Sequence, residues 1–232
     1  MDPKLRQLLD GRTLLLAVAA EIEAGAVAAG LGIQLPHTRS WAPIQLVPQV
    51  ELVMTGVGKA CAAGGVAHVL DPARHAGVLS IGIAGGYPPT QLGATVVASA
   101  SVFADEGVAT LQGFEDLAKL GFPPTATGIS VPAADSLIEA LRPHADAVGP
   151  IATVSTCSGT DALAQDFQRR TGALAEAMEG AAIALVAQRF GVPFGELRVI
   201  SNTTGNRHQQ TWRIKDALST LSRVIGSLFA ES

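Results

Sequence analysis

Three acidic side chains and one amide occupy the positions in this chain that could do chemistry. Glu21 and Glu23 lie in AEIEA, directly after the apolar run LLLAVAA. Glu179 stands beside Met178 in AEAMEGAAIALVAQRF, where nearly every other neighbour is small. Asn202 closes LRVIS and precedes TTGNR. A carboxylate can activate water or offset positive charge that grows during a reaction. An amide donates and accepts hydrogen bonds but carries no titratable proton. Each residue also has a plain structural explanation. A glutamate in a first helical turn suits the helix dipole, and an asparagine at a strand end suits a turn.

Several other signals fail. TGVGKA, Thr55 to Ala60, has Val53 and Ala60 where a phosphate loop needs Gly and Ser or Thr. Neither glycine-rich stretch fits GxGxxG, there is no GxSxG elbow, and the 5 His are scattered with no HExxH among them. The 2 Cys, Cys61 and Cys157, are far apart, which argues against a zinc cluster or disulfide framework and fits a reducing, cytoplasmic setting. The net charge is −4 with no basic run, so nucleic acid is not an expected partner. LLLAVAA is too short to span a bilayer, and the mixed charges upstream make it a buried first strand in preference to a signal-peptide core.

These residues must be positioned by strands and helices in alternation. Strands are expected at Thr13–Ala19, within Gln45–Thr55, and at Gly77–Ile83, Ala94–Val102, Ile151–Ser155 and Gly195–Ser201. Helices are expected at Ile22–Gly30, Lys59–Leu70, Ala173–Phe190 and Trp212–Phe229. Residues Gly107–Pro150, with several prolines and weak periodicity, read as a loop-rich excursion. The alternation predicts a single α/β domain over residues 1–232, with three layers, α/β/α, about a mixed central sheet. Ligands of open α/β sheets bind beyond the carboxyl ends of the strands. AEIEA, Ala84–Gly86 and Asn202 all follow strands, so all three are expected at one edge. The Ala84–Gly86 loop would let a ligand approach the backbone closely.

Taken in order, these stretches resemble the methylthioadenosine/S-adenosylhomocysteine nucleosidases of the purine nucleoside phosphorylase superfamily. AEIEA resembles their acidic first-strand motif, and TGVGKACAA their TG(I/V)GK segment. GIAGG with LGATVVAS resembles their glycine-rich strand and the strand after it. AMEGAAIA with GVPFGELRVISN resembles their MEAAAIA…VPF…R.ISD signature. The resemblance implies a nucleoside phosphorylase-like fold and hydrolysis of an N-glycosidic bond in a small-molecule nucleoside. It implies no cofactor, no metal, and a homodimer or higher homo-oligomer. It makes Glu23 the water-activating base, with Glu21 at most in support. Met178 would pack on the ribose and Glu179 would hold its hydroxyls. Ala84 and Gly85 would supply backbone contacts near water and sugar. The purine-stacking position would fall near Asp161–Leu163.

One departure bears on specificity. Asn202 stands where those nucleosidases have Asp, which accepts from adenine's amino group. The amide's NH2 suits a 6-oxopurine, whose O6 and N7 both accept. A 6-oxopurine nucleosidase of this size resembles the futalosine hydrolase family, which releases hypoxanthine. Its substrate carries a benzoate arm at the 5′ end, for which Arg207, His208, Trp212 and Arg213 are candidates, with Phe103 a further lining residue. Adenine-releasing nucleosidase activity, a phosphorylase and a non-catalytic nucleoside-binding protein remain alternatives. The acids of AEIEA count against the phosphorylase, because they would repel phosphate.

Overall fold

The computed structural model describes residues 1–230. Its elements in chain order are α1 (Pro3–Leu9), β1 (Thr13–Val18), α2 (Glu21–Gly30), β2 (Pro43–Val47), β3 (Val50–Met54) and α3 (Lys59–Val69). Then come β4 (His75–Gly86), β5 (Thr95–Phe103), a hairpin of β6 (Gly107–Thr110) and β7 (Gly113–Asp116), β8 (Ser130–Pro132), α4 (Asp135–Leu141) and β9 (Ala147–Thr153). The chain ends with α5 (Asp161–Thr171), β10 (Ala175–Ala177), α6 (Gly180–Phe190), β11 (Phe194–Thr203) and α7 (Ile214–Phe229).

Nine strands form one mixed sheet in the order β10-β9-β5-β11-β4-β1-β3-β2, with β8 on β5. Strands β11, β4, β1 and β3 run parallel to one another, while β5 pairs antiparallel to β11. Short β10 pairs with β9 and also, antiparallel, with the end of β4. The ring β4-β10-β9-β5-β11 is thereby closed, a feature that strand periodicity does not disclose.

Strand β1 shows how the layers arise. Its alternate side chains point to opposite faces. Leu14, Leu16 and Val18 join one core beneath α1, α2, α4 and α7, whereas Leu15 and Ala17 join another beneath α3 and α6. Helix α7 buries Ala217, Leu221, Ile225 and Leu228 along one stripe. No described helix is long and apolar enough to cross a membrane.

Two expectations about elements are corrected. The segment Ala173–Phe190 is not one helix. Ala175–Ala177 forms β10, and helix α6 begins only at Gly180, with Glu179 as its N-cap residue. Alanines read as helical by propensity, but two exposed strand edges offer this segment ladder partners, and tertiary pairing overrides propensity. The excursion Gly107–Pro150 holds the β6–β7 hairpin, β8, α4 and the start of β9. Helix α4 has only 7 residues, too few for a clear period. Helix α1 lies outside the expected elements. Asp2 caps it, its carboxylate accepting from the N–H groups of Lys4 at 2.9 Å and Leu5 at 3.2 Å.

Helices α2 and α7 pack so closely that a β-carbon on Gly30 would overlap the backbone carbonyl of Ser222 and lie 3.0 Å from Ile225 Cβ. A backbone oxygen cannot rotate aside. Gly30→Ala is therefore expected to destabilise the fold by about 1–3 kcal/mol, as overpacking does. Denaturant unfolding checks this, and an unchanged midpoint would show that the two helices part freely.

Candidate active site

The carboxyl ends of β1, β4 and β11 lie side by side because these strands are adjacent and parallel. Beyond them opens a cavity of roughly 560 Å³. Of the expected residues, Glu23, Ala84, Gly85, Met178, Glu179 and Asn202 line it, together with Arg207 and Trp212.

Glu23 is placed by a sharp turn from strand to helix. Strand β1 stops at Val18 and α2 starts at Glu21. From the third helical position the Glu23 side chain curls back, and its Oε2 accepts from the N–H groups of Ala19 at 3.0 Å and Ala20 at 3.1 Å. Oε1 accepts from Ile83 N–H at 3.0 Å, tying the end of β1 to β4. The side chain is buried, and burial pushes its carboxyl above the usual range. Arg198 and the N–H groups pull the other way and Glu179 adds to the rise, leaving the net direction upward. A carboxylate whose pKa is raised is the stronger base when ionised. Glycine at position 82 makes this possible, since a β-carbon there would collide with Glu23 Oε1 and lie 2.7 Å from the Arg198 guanidinium.

Arg198 lies on β11 and is fully buried. Its Nε donates to Glu196 Oε1 at 2.9 Å, and one terminal nitrogen donates to Ser80 Oγ at 2.8 Å. That same nitrogen lies 3.4 Å from Glu179 Oε2. Ser101 Oγ donates to the second oxygen of Glu196. Burial alone would lower the Arg198 pKa. Glu196, Glu179 and Glu23 outweigh burial and raise it, so the guanidinium stays charged. Three buried carboxylates thus share one cation.

Glu179 caps α6 with its backbone, while its side chain turns to the cavity. Oε1 accepts from Gly58 N–H at 3.1 Å and Oε2 from Met178 N–H at 3.3 Å. The TGVGKA segment therefore does present a backbone N–H to an anion, but the anion is Glu179. Gly56 and Gly58 have φ of +91° and +93°, conformations that favour glycine.

Asn202 is aimed by a bulge. In the pairing of β11 with β4, Ile200 faces Ala84 and Asn202 faces Gly85, which leaves Ser201 as the extra residue. Both Ser201 and Asn202 consequently reach the cavity wall. Asn202 Oδ1 accepts from Ser201 Oγ at 2.8 Å and Nδ2 donates to Thr203 O at 3.0 Å. One N–H of the amide is left for a ligand.

Other candidates fall elsewhere. Phe103 does not line the cavity of its own chain. It is buried in the core with α3 and α6, with the Lys59 ammonium 5.7 Å from its ring. A residue at a strand's end faces whichever side its parity dictates, which sequence proximity does not reveal. Glu21, His208 and Arg213 are exposed and absent from the lining. Arg207 and Trp212 sit at the mouth, with the guanidinium 4.6 Å from the indole ring. The wall near the expected stacking position is formed by Cys157, Ser158 and Gly159, and Asp161 instead binds Asn206. Arg198, Glu196, Glu176 and Ser158 also belong to the site or its support and are not singled out by the sequence. The R of the R.ISD signature was the available signal for Arg198, and buried carboxylates in apolar strands such as FGELRVIS were the signal for Glu196.

The chain matches the family model described as the phosphorylase superfamily over residues 44–230. It is 41% identical over 222 residues to the futalosine hydrolase of Acidothermus cellulolyticus, covering 94% of this chain and 90% of that protein. It is 38% identical over 226 residues to the futalosine hydrolase of Streptomyces coelicolor, covering 93% and 94%. The chain belongs to the futalosine hydrolase family of the phosphorylase superfamily. The nucleosidase-like fold expected from its motifs is also present in a solved structure, the methylthioadenosine/S-adenosylhomocysteine nucleosidase of Colwellia psychrerythraea in complex with adenine. The two share 22% identity and a TM-score of 0.72 over 94% of this chain and 96% of that one.

Within this futalosine hydrolase family member, Arg198 is, among the described residues, the only cation paired with buried Glu196 and Glu179, and its charge also acts on Glu23. Arg198→Met is expected to cost about 3–5 kcal/mol, as removal of one member of a buried ion pair does. The deficit should shrink as pH falls, because Glu23, already above the usual carboxylate range and now without the lowering effect of Arg198, takes up a proton more readily when folded. Urea unfolding at two pH values measures both, and a loss below about 1 kcal/mol would show that the carboxylates do not depend on Arg198.

Proposed function

We propose that this chain hydrolyses the N-glycosidic bond of futalosine, giving hypoxanthine and dehypoxanthine futalosine without phosphate. The observation that carries the base specificity is Asn202, held at the cavity wall by the bulge in β11 with one amide N–H free. The identity to futalosine hydrolases over nearly the whole chain supports the same reading.

The mechanism we propose assigns the cavity-lining side chains the roles that the family resemblance implies, and their positions are compatible with it. Bond breaking between C1′ and N9 leaves positive charge on the sugar and an electron pair on the base, by analogy with O-glycoside cleavage. Glu179 accepts from the ribose 2′- and 3′-hydroxyls and lies where negative charge offsets the sugar cation. Met178 packs on the ribose. Glu23 takes a proton from water as the water oxygen bonds to C1′. Asn202 donates to N7 or O6 and so stabilises the electron pair on the departing hypoxanthine, whose last proton comes from solvent. Ala84 and Gly85 offer backbone groups beside the water and sugar. Arg207 and Trp212 meet the anionic aromatic 5′ arm at the mouth by charge and stacking.

Phosphate as co-substrate is disfavoured, because Glu23, Glu176 and Glu179 all line the cavity and Arg198 is already engaged by carboxylates. We place the reaction in the futalosine route to menaquinone, in the cytoplasm. A homo-oligomer fits the apolar Ile22 and Val57, which are 54% and 58% exposed at the cavity mouth.

Hypoxanthine release from futalosine in phosphate-free buffer should exceed adenine release from methylthioadenosine by at least tenfold, followed by chromatography of the free base. Asn202→Asp should move that ratio toward the 6-amino substrate by about 10–100-fold, the worth of one mismatched buried hydrogen bond. Adenine release dominating in the unaltered protein would overturn the reading.

Glu23→Gln should lower kcat by about 10²–10⁴-fold while nucleoside binding persists. Only ionised Glu23 accepts a proton, and its pKa is raised by burial. The kcat/KM of the unaltered protein should therefore fall as pH drops through a value above the usual carboxylate range. That acid limb should be absent from the residual activity of Glu23→Gln, and its persistence would assign the base elsewhere.

A further inference from the structure

Glu176 is a buried carboxylate in the cavity wall that the mechanism leaves unused. Its position is set by the closure of the sheet ring. Gly85 on β4 pairs with Glu176 on one side and with Asn202 on the other. Directly paired residues on neighbouring strands raise their side chains on the same face. Glu176 and Asn202 thus stand on either side of a residue that has no side chain. A β-carbon on Gly85 would lie 3.1 Å from both Asn202 Nδ2 and Thr204 Cγ2 and 3.4 Å from Glu176 Cγ, so the two polar groups are separated by glycine backbone edged by the Thr204 methyl.

The carboxylate is held firmly. Oε2 accepts from Tyr87 OH and Ser158 Oγ, each at 2.7 Å, and Oε1 accepts from Ser158 N–H at 3.0 Å. Two carboxylate oxygens offer about four acceptor positions. Three are used, and the free one is on Oε1. Across Gly85 the wall therefore offers a donor from Asn202 and an acceptor from Glu176.

A 6-oxopurine presents the complementary row. N7 and O6 accept, and N1–H donates. A 6-aminopurine presents the opposite polarity at the last two places, with an amino group that donates and an unprotonated N1 that accepts. Resting on the 6-oxopurine assignment above, we propose that Glu176 accepts a hydrogen bond from N1–H of the bound base and is, with Asn202, the second determinant of 6-oxopurine specificity. Asn202 rewards an oxygen at C6. Glu176 rewards the N1 proton and sets a fixed negative charge against a bare ring nitrogen.

The test measures kcat/KM for futalosine and for its 6-amino analogue in the unaltered protein and in Glu176→Gln. The unaltered protein should prefer futalosine. In Glu176→Gln that preference should shrink by about 10–100-fold, the futalosine value falling while the 6-amino value holds or rises. An equal loss on both substrates would mean that Glu176 only anchors Ser158 and Tyr87, and would overturn the inference while leaving the function intact. Preference for the 6-amino analogue in the unaltered protein would overturn the functional reading itself. Should Glu176→Gln fail to fold, the unaltered protein still decides: hypoxanthine should inhibit at least tenfold more strongly than 1-methylhypoxanthine, and equal inhibition would exclude a contact at N1.

Discussion

The site depends on one guanidinium. Arg198 is buried in the middle of the sheet among Glu196, Glu179 and Glu23. A buried carboxylate without a partner is costly, and three crowded together are more so. The arginine's fork lets Glu196, Glu179 and Ser80 be served at once, in a geometry a lysine could not reproduce. One positive charge cannot fully offset three negative ones. The imbalance reaches Glu23, which has no hydrogen bond to Arg198 and is held by backbone N–H groups instead. Its raised pKa comes from burial, which outweighs the pull of Arg198 and the backbone N–H groups, with a smaller rise added by Glu179.

The chain makes room for these charges by removing side chains. Gly82 allows Glu23 and Arg198 to lie against β4, and Gly180 allows the Glu196 carboxyl to sit under the start of α6, where a β-carbon would overlap it. Gly85 lets Glu176 and Asn202 approach each other, since a β-carbon there would press on both and on the Thr204 methyl. Small residues around Glu179 have the same meaning. The alanines and glycine of AMEGAAIA admit a close-packed helix, α6, whose Gly180, Ala181, Ala182 and Ala184 are all buried against the sheet.

Irregularity does the aiming. A strict period of two along β11 would put Ser201 and Asn202 on opposite faces. The bulge between Ile200 and Asn202 brings both to the cavity wall. The short β10 interrupts what would be a continuous helix and puts Glu176 and Glu179 three residues apart on an extended segment and a cap. Bulges and strand-to-helix joints recur beside binding sites because they re-aim side chains without disturbing the regular elements behind them.

Sequence alone determined the layered α/β architecture, since the alternation of strand-length apolar runs with helix-length segments is written in local residue spacing. It also pointed to Glu23, Glu179 and Asn202 through a run of matching motifs, although Asn202 and Ala84–Gly86, expected just beyond their strands, lie within β11 and β4, whose ladder pairing continues to the cavity. It did not disclose that Phe103 packs with α3 and α6, since that direction depends on strand parity, and it misread the Ala173–Phe190 segment, whose conformation depends on partners far away in the chain. Only the tertiary structure decided that Glu176 faces Asn202 across Gly85. That juxtaposition comes from β10 pairing with both β9 and β4, and such long-range pairing leaves no periodic trace in the three residues that make it.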